Sequence, residues 1–349
     1  MKKVKIGDRY VGEGSPTYII AEIGSNFDGN IEQAIELIDL AKSCGCDCAK
    51  FQSFLPNKII NKKAFGSKSS FQANWSKSVY DTYKDASLPR EWHRKLADHC
   101  KEIGIDFMSS PYDKEAVDLL DSLDVTAFKI GSGEITNLEF LEYVGSKKRP
   151  VILGTGASNM EEIEDAVTTI RNTNNNDIIL LQCVTQYPSP IEYSNIRAMV
   201  TLKEAFDCQV GYSDHSDGNI TIIGAVSLGA CVIEKHFTNN RNKIGPDHPF
   251  AADVSQMTLI THSVREIEKA LGSSIKQLTE IEKETVIIQR RGLYTRQDWK
   301  QGARITREMV DVLRPYNGLE PKCLSTLLGM KVKENISKGD SITWEKVSQ

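Results

Sequence analysis

At 349 residues the chain is too long for one small domain and fits one barrel of about 250 residues plus a smaller unit. Its 40 % hydrophobic content supports a full core, and a formal net charge of −4 excludes the global positive field that gathers nucleic acid. The opening MKKVKIGDRY has no apolar stretch of signal-peptide length and no run approaches a membrane span, so a cytoplasmic protein without nucleic-acid or membrane partners is expected.

Residues 1–16 read as a short capping hairpin. Eight short apolar runs follow: Tyr18–Gly24, Cys46–Phe54, Ile105–Ser110, Ala127–Gly131, Val151–Gly154, Ile178–Cys183, Val210–Ser213 and Ala230–His236. Most are separated by stretches long enough for a helix, often with helical periodicity. Eight strand-then-helix units predict an α/β fold, a closed (β/α)8 TIM barrel, whose active site lies where the strands end. Those ends hold Glu22, Lys50, Gln52, Ser110, Lys129, Glu134, Ser213, His215 and His236. The long connection from Pro56 to Leu88 carries Phe65, Phe71, Trp75, Tyr80 and Tyr83, which predicts an ordered lid rather than a disordered loop.

Cys44, Cys46 and Cys48 alternate along the approach to the second strand. They are expected to share a face without bridging, as small buried thiols. Beyond His236 come Gly245-Pro246-Asp247-His248, an amphipathic helix near Ser255–Leu271 with Ser255 as its cap, and a polar linker, Gly272–Thr285. The expected division is a barrel domain, 1–284, and a mostly β domain, 285–349. The second contains an echo, Gln301–Val310 against Lys338–Val347, with glycine, isoleucine–threonine, glutamate and valine in the same order. About 60 residues make a marginal core, so this domain is expected to pack on another surface.

Two histidines on neighbouring strand ends, His215 and His236, are spaced to reach one divalent ion, although both could simply accept loop hydrogen bonds. Lys50 and Lys129 each interrupt an apolar strand, and a buried lysine needs an anion. That anion is either a partner such as Glu22 or Glu134, or a substrate phosphate and carboxylate cradled with Ser110, Ser132 and Ser213. A Schiff base is a further use of a barrel lysine. Glu22 and Glu134 read equally as proton-transfer groups or ion-pair partners. Asp247, in its turn beside His236, reads as a base, a hydroxyl ligand or a turn cap.

Together these residues resemble the sialic acid synthase family, the nonulosonate synthases that condense phosphoenolpyruvate with an N-acetylated hexose. The matching motifs are Ala21-Glu22-Ile23-Gly24, Ala49-Lys50-Phe51-Gln52, Ser109-Ser110-Pro111-Tyr112, Phe128-Lys129-Ile130-Gly131-Ser132-Gly133-Glu134, Tyr187-Pro188, Gly211-Tyr212-Ser213-Asp214-His215, Glu234-Lys235-His236-Phe237 and Gly245-Pro246-Asp247-His248. The tail resembles that family's antifreeze-like (SAF) domain.

The resemblance implies that Lys50, Ser110, Lys129, Ser132 and Ser213 hold phosphoenolpyruvate, with Gln52, Thr155, Thr185 and Tyr187 completing the substrate-binding set. It implies that His215 and His236 hold Mn²⁺ or Mg²⁺, and that Glu22, Lys129, Glu134 and Asp247 carry the catalysis. It also implies a domain-swapped homodimer in which Arg314 reaches the acceptor's N-acetyl group. Three positions depart from the family pattern: Phe27 replaces a histidine, Gly154 a serine and Thr185 an asparagine. Phe27 and Thr185 are expected to alter the acceptor pocket, and Thr155 to replace the phosphate donor lost at Gly154. Alternatives are condensation onto a phosphorylated aldose and a non-catalytic carbohydrate-binding homologue.

Overall fold

The computed structural model describes residues 2–65, 72, 75 and 77–349, so Phe71 lies outside the described residues. The chain forms two compact units, Met1–Gly272 and Ser273–Gln349.

The first unit is built on eight parallel strands: β1 Tyr18–Gly24, β2 Cys48–Ser53, β3 Asp106–Pro111, β4 Phe128–Ile130, β5 Val151–Gly154, β6 Ile178–Cys183, β7 Gln209–Asp214 and β8 Val232–His236. They form one sheet in the order β3-β2-β1-β8-β7-β6-β5-β4. β3 and β4 lie side by side at the seam without a ladder, so the barrel is nearly closed. Every residue of β1 is buried, as expected of a strand covered on both faces.

Alternation sorts the side chains. Ile19, Ala21 and Ile23 join the outer layer against the helices, whereas Tyr18 and Ile20 join an inner cluster with Cys48, Met108, Ile152, Ile179 and Val232. Val4, Ile6 and Val11 belong to that inner cluster too, so the antiparallel hairpin Val4–Ile6 with Arg9–Val11 plugs the N-terminal end of the barrel. The apolar filling leaves the C-terminal end to the polar residues that continue the same inward rows.

Two local expectations are corrected. β2 begins at Cys48 rather than Cys46, because Gly45, at φ +83°, turns the chain just beyond the helix Ile31–Ser43. Cys48 therefore faces inward while Cys44 and Cys46 lie in the outer layer, and the three do not share a face. All eight cysteines are free. The helix Val254–Leu271 is capped by Asp253, not Ser255: the Asp253 carboxylate accepts from the Gln256 backbone amide and Gln256 Oε1 accepts from the Asp253 backbone amide. No helix among the described residues is long and apolar enough to cross a membrane.

In the second unit, Gly292–Thr295 pairs antiparallel with Val310–Leu313, and Lys331–Val332 with Val347–Ser348. The sequence echo is structural. Each copy ends in a 3-10 turn, Arg307–Met309 or Trp344–Lys346, leading into a strand. The equivalent pairs Ile305 and Ile342, and Val310 and Val347, all enter one core around Trp299. Arg314 follows the strand Val310–Leu313.

Candidate active site

The inward rows bring Glu22 from β1, Lys50 and Gln52 from β2, Ser110 from β3, Lys129 from β4, and Ser213 and Glu234 from β7 and β8 to one place. Lys50 is 2 % and Lys129 7 % exposed, so both ammonium groups need partners. Lys50 pairs with Glu22, lies 3.4 Å from Glu234 Oε2 and donates to Ser110 Oγ at 3.2 Å. Lys129 lies 3.0 Å from Glu234 Oε1, which also accepts from Ser213 Oγ at 2.8 Å. One carboxylate, Glu234, thus bridges the two lysines. Gln52 fixes the second acid by donating to Glu22 Oε1 at 2.7 Å.

Glu234 enters the sequence analysis only within the motif Glu234-Lys235-His236-Phe237 and with no role assigned, and Lys129 pairs with it rather than with Glu134. The signal was available: Glu234 shares its strand parity with His236, which places a carboxylate on the inward face of an apolar strand. Glu134 sits half-buried in the 3-10 turn Ser132–Glu134, where burial raises its pKa and a bond from Asn137 partly offsets the rise.

The four charges are electrostatically unequal. Burial pushes Glu22 up to about 7; Lys50 opposes the shift and Glu234 reinforces it. Burial acts in the same direction on Glu234, but Lys129 and Lys50 together outweigh it and hold that carboxyl below the ordinary range. Burial alone would lower Lys50, yet Glu22 and Glu234 raise it. Near neutrality Glu234 is the fixed anion, and Glu22 can hold or release a proton.

Above this quartet lie the imidazoles, with ring centroids 5.5 Å apart. His215 Nδ1 donates to the Val184 carbonyl at 2.7 Å, leaving the lone pair on Nε2. His236 Nδ1 is buried without a hydrogen-bond partner, 4.0 Å from Asp247 Oδ2. Burial lowers His215 to about 4 and His236 well below its ordinary value, so both rings are neutral at pH 7. Two neutral nitrogens side by side fit a divalent cation. Among the described residues no trio of His, Cys, Asp or Glu could hold one, so a cation here would take its remaining ligands from water and substrate.

Asp247 is fixed by the Ser25 amide and hydroxyl at 3.2 and 3.0 Å. It explains the glycine at position 24, where an added Cβ would lie 2.7 Å from Asp247 Oδ2 at a φ of +56°. Asp247, Ser25, Gln52, His236 and Tyr187 line a cavity of about 150 Å³. Its wall includes Trp75 and Tyr83 from the long connection, together with Phe54 and Tyr112.

The three departures fall elsewhere than expected. Phe27 is fully buried against Phe51 and Trp92, at centroid distances of 6.3 and 6.1 Å, and is not among the described residues lining the cavity. Thr185 stands with Cys183 and Ser132 around Gly156, not among the residues lining the cavity. A Cβ on Gly154 would lie 2.7 Å from Ser132 Oγ, so Ser132 fills the space a serine there would need. Thr155 commits its proton to the Leu181 carbonyl at 2.9 Å and offers no donor in its place.

The NeuB family model matches residues 37–276, and the SAF domain model matches residues 290–348. The chain is 40 % identical to an uncharacterised protein of Methanocaldococcus jannaschii, over 99 % of this chain and 98 % of that one. It is 37 % identical to the N,N'-diacetyllegionaminic acid synthase of Legionella pneumophila, over 96 % of each. Among solved structures, the N-acetylneuraminic acid synthetase of Leptospira borgpetersenii superposes with a TM-score of 0.73 at 29 % identity, over 82 % of this chain and 95 % of that one.

Proposed function

Because the chain belongs to the NeuB family, we propose that it condenses phosphoenolpyruvate with an unphosphorylated N-acetylated hexose, releasing phosphate and a nonulosonic acid. The observation that carries this reading is the pair of buried ammonium groups, Lys50 and Lys129, joined through Glu234 beneath two neutral imidazoles. The lysines, with Ser110, Ser132 and Ser213, would receive the phosphate and carboxylate of phosphoenolpyruvate. His215 and His236 would hold Mn²⁺ or Mg²⁺, whose chemistry is Lewis-acid polarisation of the acceptor's aldehyde.

C3 of phosphoenolpyruvate attacks the aldehyde carbon, and the aldehyde oxygen becomes a hydroxyl by taking a proton. Water adds to the cation left at C2, and the tetrahedral adduct expels phosphate by breaking the C2–O bond. Glu22, Asp247 and Glu134 are the candidates for moving these protons. Glu22 suits the task because it can change charge near neutrality.

The cavity favours a neutral acceptor. Among the described residues lining it there is no lysine or arginine, and in the adjoining cleft Lys77 is paired with Asp85. The aromatic wall suits acyl methyl groups, and the Legionella relative's product carries two acetyl groups by name. N-acetylmannosamine and a diacetamido-trideoxyhexose are therefore the acceptors to test. The homodimer, with Arg314 directed to the acceptor's N-acetyl group, belongs to the same proposal.

The test is phosphate release from phosphoenolpyruvate with each free sugar and with N-acetylmannosamine 6-phosphate, with and without EDTA. Release with a free sugar, lost on chelation and restored by Mn²⁺, is expected. No release with any unphosphorylated N-acyl hexose would sink the reading, and preference for the phosphorylated sugar would favour the alternative acceptor class.

A further inference from the structure

His215 and His236 project just beyond the point where β7 and β8 stop pairing. The ladder between these strands joins Ile233 to Tyr212, Glu234 to Ser213 and Lys235 to Asp214, and goes no further. Backbone pairing between the two strands therefore does not fix the spacing of the imidazoles. On the outer face, side chains continue where the ladder ends. Lys235 Nζ donates to Asp214 Oδ2 at 2.7 Å and to the carbonyl of Ser216. Asp214 Oδ1 accepts from the Ser216 amide at 3.0 Å and from its hydroxyl at 2.7 Å. Ser216 Oγ in turn lies 3.0 Å from Thr221 Oγ1. The residues on both sides of His215 are thus tied to the residue between Glu234 and His236.

This ion pair is 3 % and 1 % exposed, in the outer layer that also holds Tyr212, Ile233 and Phe237. Burying such a pair offers little net stability, since apolar replacements of similar volume are often neutral or better. Its geometry suits a different use. We propose that Lys235, Asp214 and Ser216 form a positioning clamp that holds His215 and His236 at the separation a divalent cation requires. The clamp touches neither cation nor substrate, and the inference rests on the two histidines being the cation's ligands.

The experiment is Mn²⁺ titration followed by electron paramagnetic resonance of the free ion, on the full chain without substrates. Replacing the pair together, Lys235→Met with Asp214→Leu, removes the clamp without stranding a charge. Mn²⁺ binding is expected to weaken by about 10- to 100-fold, the usual loss when a ligand's supporting contact is removed, with the thermal midpoint close to wild type. Asp214→Asn, which keeps the shape, is expected to shift affinity in the same direction and serves if the double variant does not fold. Wild-type Mn²⁺ affinity in a folded clamp variant overturns the inference. His236→Ala separates the premises. If it abolishes binding while the clamp variant binds normally, only the clamp fails; if it leaves binding intact, the cation reading falls and the clamp with it.

Discussion

The residue that organises this site is Glu234. It is the ion-pair partner of Lys129 and the second partner of Lys50 after Glu22, so Glu234→Gln leaves Lys129 without its carboxylate and Lys50 with Glu22 alone. Breaking one side of a buried pair typically costs 3–5 kcal/mol, and a destabilisation of about that size is expected in the free protein. An anionic ligand can replace the missing carboxylate. Scanning fluorimetry should therefore show phosphoenolpyruvate raising the melting temperature of the variant more than that of the wild type; equal shifts would mean that the ligand does not sit between the lysines. Phe27 gives the opposite kind of prediction. It fills a pocket against Phe51 and Trp92, so Phe27→Ala should lose about 3–5 kcal/mol of stability while leaving the acceptor KM unchanged. A large change in KM with normal stability would return this position to the acceptor site.

At the level of elements, the strands are held from outside by buried polar contacts that alternate with the inward residues. His93, on the helix Trp92–Ile103, donates from Nδ1 to the Pro89 carbonyl at 3.2 Å and accepts at Nε2 from Ser53 Oγ at 2.5 Å. Ser53 Oγ lies 2.6 Å from Ser109 Oγ, so β2 and β3 are joined beside Gln52 and Ser110. Burial, opposed by the bond to the Pro89 carbonyl, lowers His93 to about 4. The unfolded chain protonates this ring near pH 6.5 and the folded chain does not. Stability is therefore full above 6.5 and declines as pH falls towards 4, by at most about 3 kcal/mol from this group. Urea unfolding across that range should show a decline in the wild type that is shallower in His93→Gln. Identical slopes would assign the acid sensitivity to other groups.

For the molecule as a whole, the proposed domain-swapped dimer makes a quantitative prediction. Lys129→Ala removes a barrel residue and Arg314→Ala a tail residue, so each variant alone should be inactive. If the tail serves the partner subunit, mixing and refolding the two should restore about a quarter of wild-type activity, the statistical yield of mixed dimers with one complete site. No recovery from mixtures in which mixed dimers are demonstrated would place Arg314 in the site of its own subunit or outside any site.

The sequence by itself determined the eight strands, the inward rows and both histidines and lysines. Short apolar runs such as Tyr18–Gly24 and Val151–Gly154 are local information, strand geometry sends their successive side chains to opposite faces, and charged or hydroxyl side chains at the ends of such runs stand out. It also determined the repeat in the tail, because Ile305 and Ile342 occupy equivalent core positions. Tertiary structure alone decided who pairs with whom. Lys129 meets Glu234 rather than the nearer-in-sequence Glu134, Phe27 turns into the helix layer, and Ser132 takes the room left at Gly154. These outcomes depend on distances between strands far apart along the chain, and curling the sheet into a cylinder sets those distances.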